Sequence, residues 1–316
     1  MPEQMIFTYF FQPFAQYRNP ITFYYAQSYP LPPKATLIGL FQRITNRYYD
    51  EDFWDLKISI HGGFESRFWN LQQLIGTSRI GFIRNQERAF IGIKSELQLG
   101  GDDFLPLYGH MTKMLAKAYR SGMTHQEELF NGHIYLFIKG REDLLEDIYT
   151  ALKKPPTIIR LGRSEDIVFV REVLWIPDSD NVILEERRVK NTLMLSFPTY
   201  LRLVKIKDED YVLTDDCIRR FPTYMIPIRQ SFYIVLGNRK KSSKPTLREE
   251  KIKIRDIYEL FSAKFKERMR EVEFEIVLWT GFNAILEFRK ETRVWLIKIT
   301  NRRRLKFWII DDIGWL

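Results

Sequence analysis

"YPLPPKATLIGLFQRI" (residues 29–44) fixes the first helix and, through it, the order of elements around it. Leu37, Leu40, Phe41 and Ile44 fall at i, i+3, i+4 and i+7, the stripe of an amphipathic helix, with Arg43 and Arg47 off it. Pro33 suits a first helical turn, where its missing N–H leaves nothing unsatisfied. Lys34 does not suit it, because a helix N-terminus carries partial positive charge and favours an acid. A lysine there makes sense if an anion such as phosphate sits on the free N–H groups, with Thr36 flanking the same site.

Working outward, "MIFTYFF" (5–11) is a β-branched and aromatic run of strand length, and "LKISIHG" (56–62) alternates as a strand that "SRFWNLQQLI" extends. Residues 76–131 are less regular. "GHIYLFIKG" (132–140) is a further strand. "REDLLEDIYTALKK" (141–154) is a helix built on Leu144, Leu145, Ile148 and Leu152, ending in two lysines before Pro155–Pro156. "TIIRLGRSEDIVFVREVLWI" reads as strand, tight glycine turn and strand.

The resulting order is β–α–β–insertion–β–α–β. It predicts an α+β fold with a ferredoxin-like, RRM-like βαββαβ core over residues 1–176, carrying a thumb-like insertion at about 76–131. Both helices on one face would leave the other face of the sheet free, the face on which RNA-recognition modules stack bases. Residues 177–236 form a strand-rich extension, and 237–251 ("GNRKKSSKPTLREEK") a basic linker. Residues 252–316 make a small C-terminal α/β subdomain, opening with a helix over "IRDIYELFSAKFKERM" (254–269).

The composition is that of a folded chain: 45% of the 316 residues are hydrophobic. A single cysteine, Cys217, excludes an intramolecular disulfide and a cysteine-based metal cluster, and suits a reducing, cytoplasmic compartment. No apolar run approaches the roughly 20 residues needed to span a bilayer, and the N-terminus lacks a signal-peptide pattern, so no membrane partner is expected. Lys and Arg number 49 against 40 acids, a net charge of +9 with a pI near 9.4. That exceeds the value of about 9 at which a nucleic-acid partner becomes a working hypothesis.

Catalytic signatures are absent. There is no P-loop, HExxH, GxSxG or GxGxxG, the four histidines are scattered, and the paired acids are sequence neighbours that diverge on a helix or strand. No cofactor is expected. The cations are grouped instead: Lys34, Arg43 and Arg47 on the first helix; Arg79, Arg84 and Arg88, then Lys113, Lys117 and Arg120, in the insertion; and Arg163 after Gly162. Lys113, Lys117 and Arg120 share one helix face. Arg163 offers a fork-shaped donor to a phosphate or base edge, or pairs with Glu165 or Asp166.

The proline-rich lead into "TLIGL", the "LGRSE" strand–turn–strand and "MTHQEELFNGHIYLFI" together resemble the CRISPR-associated Cas five family, in consistent order over residues 1–175. The resemblance implies a RAMP-type ferredoxin-like fold and a non-catalytic subunit of a type I surveillance complex (Cascade). Such a subunit caps the 5′ handle of the guide RNA and contacts the terminal backbone-filament subunit and the large PAM-reading subunit, meeting target DNA only indirectly. It further implies that Lys34, Thr36, Arg43 and Arg163 hold handle phosphates or bases, and that residues 76–131 are the thumb.

One branch of the family cleaves precursor guide RNA. Metal-independent cleavage needs a base for a 2′-OH and a cation for the developing charge; His110 or His125, with Lys113 or Lys117 and Tyr119, supply those residue types. A third reading is a general RNA-binding scaffold module.

Overall fold

The run "MIFTYFF" is apolar at odd and even positions alike, and the computed structural model covers its strand on both faces. The structure describes residues 4–19, 25–47, 50–73, 123–206, 210–212, 222–236, 246–248, 265–288, 291–300 and 304–316. β1 (Met5–Ala15) is followed by β2 (Tyr25–Ala26), α1 (Lys34–Ile44), β3 (Lys57–Gln73), β4 (Met123–Lys139), α2 (Glu142–Lys153) and β5 (Phe169–Ile176). β3 pairs with β4, β4 with β1, and β1 with β5, all antiparallel; β2 adds a short parallel pairing to β4.

Both expected helices form on the expected stripes. Leu37, Leu40, Phe41 and Ile44 of α1, and Leu144, Leu145, Ile148 and Leu152 of α2, are buried. They pack on one face of the sheet against Ile6, Phe10, Ile58, Ile60, Ile134, Leu136 and Ile138. Glu142 and Asp143 open α2 and Lys153 closes it, the charge order that the helix dipole favours. β4 begins at Met123, not near Gly132. Residues 123–131, expected in the insertion, are therefore strand, laddered to β3 from Gln73↔Met123 onward.

The remaining strands are β6 (Val182–Val189), β7 (Thr192–Met194), β8 (Tyr200–Arg202), β9 (Val204–Ile206), β10 (Asp210–Val212), β11 (Thr223–Leu236), β12 (Thr246–Arg248), β13 (Phe265–Trp279), β14 (Ile285–Glu287), β15 (Thr292–Ile299) and β16 (Leu305–Ile310). They form sheets in the orders β12-β11-β13-β8, β16-β15-β6, β14-β7 and β10-β9. Residues 252–316 thus contribute strands to three different sheets. The helix expected over 254–269 gives way from Phe265 onward to β13; residues 254–264 lie outside the described residues. Lys, Glu, Arg and Met are good helix formers, but the long ladder from Thr223↔Leu278 to Leu236↔Phe265 overrides their propensity.

The second face of the first sheet is not free. Met5, Phe7, Tyr9, Tyr135 and Phe137 lie under Ile297, Ile299, Phe307, Ile309 and Trp315. The Phe307 ring centroid is 5.9, 5.1 and 5.2 Å from those of Phe7, Tyr135 and Phe137. Each such side chain is worth about 1.5–3 kcal/mol when buried. An open face would forgo that gain several times over, which is why β15 and β16 close it.

The C-terminal half also pins the proline-rich lead. The Tyr200 hydroxyl donates to the Leu31 carbonyl (2.7 Å) and accepts from its N–H (3.1 Å), and the Tyr29 hydroxyl donates to the Met225 carbonyl. Backbone bonds between Ile58 and Leu316, and from Gly62 N–H to the Pro198 carbonyl, occupy the outer edge of β3. Among the described residues, no helix is long and apolar enough to cross a membrane.

Candidate nucleic-acid interface

Lys34 opens α1 after Pro33, which makes no side-chain cap; the carbonyl of Pro33 accepts from the N–H groups of Thr36 and Leu37 instead. Its own side chain turns inward. It is 9% exposed, and Nζ donates to the Trp54 carbonyl at 3.1 Å. Burial lowers the pKa of this amine, Glu275 on β13 works against that, and Arg202 adds to the lowering. Glu275 in turn pairs with Arg202 at 2.6 Å. A carboxylate far along the chain thus offsets part of the effect of burial on this amine.

The solvent side of α1 carries Thr36, Gly39 and Arg43, three residues that share a helix face. Thr36 and Arg43 are half-buried, Gly39 is exposed, and a Cβ on Gly39 would meet nothing within 4 Å. Arg43 makes no ion pair among the described residues. Arg47 is committed elsewhere: it bonds Asp50 and Asp147, tying the end of α1 to α2.

Arg163 sits in a welded turn. Gly162 before it has φ +106°, and a Cβ there would come within 2.8 Å of both the Asp166 carboxylate and the Gln16 carbonyl. The guanidinium reaches Asp166 and Glu128, each at 2.8 Å, and Glu165 at 3.3 Å. Asp166 is 1% exposed and also accepts from the N–H groups of Gln16 and Arg163. Of the two roles open to Arg163 in the sequence, the structure displays the internal pairing. The fork joins the end of β1, β4 and the turn.

Arg79, Arg84, Arg88, Lys113, Lys117 and Arg120 lie outside the described residues, as do His110, Tyr119 and most of the 237–251 linker. The strands that lead to and from residues 74–122 are described: the outer ends of β3 and β4 run on together beyond β1, flanked at His125 and Gln126 by the short β2, with Phe68, Trp69 and Leu71 exposed. His125 lies on that extension, opposite Leu71. His61 is a core residue whose pKa burial pushes down to about 3; its Nε2 lies 3.0 Å from the Ser59 hydroxyl.

Sequence reasoning missed one feature. Beyond the part of the sheet covered by β15 and β16, a row of rings crosses the same face. Phe169, Phe11 and His133 are register neighbours on β5, β1 and β4, with ring centroids 6.2 and 5.5 Å apart. Gly63 on β3 continues the row, and Phe282 takes the place of its missing side chain, its ring tip 2.7 Å from where a Cβ would be. Arg171 lies over Phe11 and Phe169 at 5.1 and 5.6 Å. The one local signal was the Phe169-x-Arg171 spacing, which puts two side chains on one side of a strand.

The family model described as CRISPR-associated protein (Cas_Cas5) matches residues 5–273, and the chain belongs to that family. Among solved structures it is similar to a chain of a "CRISPR RNA-guided surveillance complex" at 15% identity, covering 87% of this chain and 91% of that one, with a TM-score of 0.41. A CRISPR protein from Archaeoglobus fulgidus matches at 12% identity over 96% and 98%, with a TM-score of 0.35. A third, described as a Cas protein, matches at 15% identity with a TM-score of 0.28; the alignment takes in 51% of this chain and 57% of that one. No curated protein sequence matches this one.

Proposed function

We propose that this protein is a non-catalytic guide-RNA-binding subunit of a type I CRISPR surveillance complex, working in the cytoplasm. On this reading it caps the 5′ handle of the guide and contacts the terminal backbone-filament subunit and the large PAM-reading subunit. The observation that carries it is the family match over residues 5–273. The strand order β3-β4-β1-β5, all antiparallel, with a helix after β1 and another after β4, supports reading the first half as the ferredoxin-like core of a RAMP protein. The β3–β4 extension then leads into a thumb at residues 74–122.

The contact set divides in two. Thr36 and Arg43, on the solvent side of α1, and Arg79, Arg84, Arg88, Lys113, Lys117 and Arg120 of the thumb touch the RNA. Lys34, Arg47 and Arg163 act as positioning residues, holding the helix start, the helix end and the turn through internal partners.

The test is to purify the protein with the products of its neighbouring genes and sequence the RNA that accompanies it. A uniform population sharing one 5′ end supports the capping role; heterogeneous RNA, or none, overturns it. Precursor RNA added to the protein alone should stay intact, and a discrete cleavage product would replace the non-catalytic reading with a nuclease.

A further inference from the structure

The geometry points to a second RNA contact, separate from α1 and the thumb. The row Phe169–Phe11–His133, with Arg171 above it, is a stacking platform for unpaired nucleotides. This rests on the RNA-binding reading and adds to it the place and the chemistry of base contact.

Three observations carry the inference. The first is position: the rings stand side by side on three adjacent antiparallel strands, so their spacing is fixed by the ladder. Flat groups standing in a row across an antiparallel sheet, here from β4 and β1 to the edge strand β5, are what single-stranded bases stack on. The second is exposure. Phe169 is 47% exposed, whereas Tyr9 and Tyr135, one step along the same face, are buried beneath the C-terminal sheet. His133 is held in place from the covered side of the same face, where its Nδ1 and the Tyr9 hydroxyl lie 2.7 Å apart.

The third is charge. Arg171 is exposed, lies over two rings and makes no ion pair among the described residues. A cation parked on an apolar row disfavours an apolar protein helix as the occupant and favours an anionic chain carrying flat bases. Phe169 and Arg171 also line an open cleft of about 520 Å³ at the β5 edge of the sheet, together with Lys153, Pro155, Ile158 and Glu172 among others. Lys153 and Arg171 outnumber the one carboxylate there.

The test uses the full chain and single-stranded RNA 12-mers with 2-aminopurine at successive positions, a base whose fluorescence is quenched when it stacks. Wild-type protein should bind and quench the probe at one or two positions. Phe169→Leu keeps the apolar bulk but not the flat ring; it should lose that quench and bind roughly tenfold more weakly, the scale of one lost stack. Arg171→Gln, at an exposed site, should weaken binding in the same direction. Retained quenching and affinity in both variants would overturn the platform while leaving RNA binding in place. Wild-type protein that binds no RNA would overturn the underlying reading instead. Unchanged RNA affinity together with loss of co-purifying subunits would overturn the platform and assign the row to a protein contact.

Discussion

The two ends of one sheet face carry nearly the same chemistry and meet opposite fates. At the covered end, Phe7, Tyr135 and Phe137 pack under Phe307 and are at most 3% exposed. At the open end, Phe11 and His133 sit half-buried on the same two strands, with Phe169 exposed on β5 beside them. Nothing in the local sequence separates "IFTYF" from "FFQPF" on hydrophobicity. The difference is made by where β15 and β16 stop. An aromatic residue on this face is core or surface according to what a segment far along the chain supplies.

The largest effect should come from the covered end. Phe307→Ala removes a ring packed among Phe7, Tyr135, Phe137 and Phe197. It should cost about 3–5 kcal/mol, read as a fall in the midpoint of denaturant unfolding. A loss below ~1 kcal/mol would mean that the C-terminal sheet is not a structural lid on this face. Next comes the turn at the open end. Arg163→Ala strands the buried Asp166 and should cost about 3 kcal/mol, with Arg163→Lys recovering only part of it, since a point charge cannot reach Asp166 and Glu128 together. A variant of unchanged stability would return Arg163 to the role of a free RNA contact.

Beside the covered end, His61 gives the comparison a pH axis. Burial moves its pKa from 6.5 to about 3, so the folded protein keeps it neutral while the unfolded chain protonates it below 6.5. Stability is therefore fully present well above pH 6.5 and falls as the pH drops through it, by on the order of 1 kcal/mol per pH unit, levelling off near pH 3. His61→Gln should flatten that limb of the stability profile, and an unchanged slope would assign acid lability to other groups. The smallest effect belongs to the open end: Phe169→Leu should change stability by less than about 0.5 kcal/mol. A larger loss there would erase the contrast between the two ends.

What could be read in the sequence was local. The α1 and α2 stripes, their proline and lysine boundaries, and the β-strand runs before and between them depend on neighbours a few residues apart, and all formed, with β4 starting earlier than its apolar run suggested. The covered face was legible too. "MIFTYFF" is apolar at odd and even positions, the mark of a strand buried on both sides, yet the ferredoxin-like order argued for one bare face. Lys34 shows the opposite case. Its position at a helix start reads locally as half of a phosphate site, while the inward bond of its Nζ to the Trp54 carbonyl and the influence of Glu275 on β13 come from elsewhere in the chain, where local spacing does not show them. For Arg163, the neighbours Glu165 and Asp166 were visible, while Glu128, on another strand, was not.

The coverage of that face has a consequence during synthesis. Strands β1, β4 and β5 can pair once Ile176 has left the ribosome, but β15 begins only at Thr292. At about 5–20 residues per second, that separation of roughly 100 residues leaves Phe7, Tyr9, Tyr135 and Phe137 uncovered for on the order of ten seconds. The nascent chain therefore passes through an interval in which its stickiest surface is complete and its cover does not yet exist. Chaperone demand, and the yield of any shortened form, should follow the arrival of residues 292–310 rather than the completion of the first sheet.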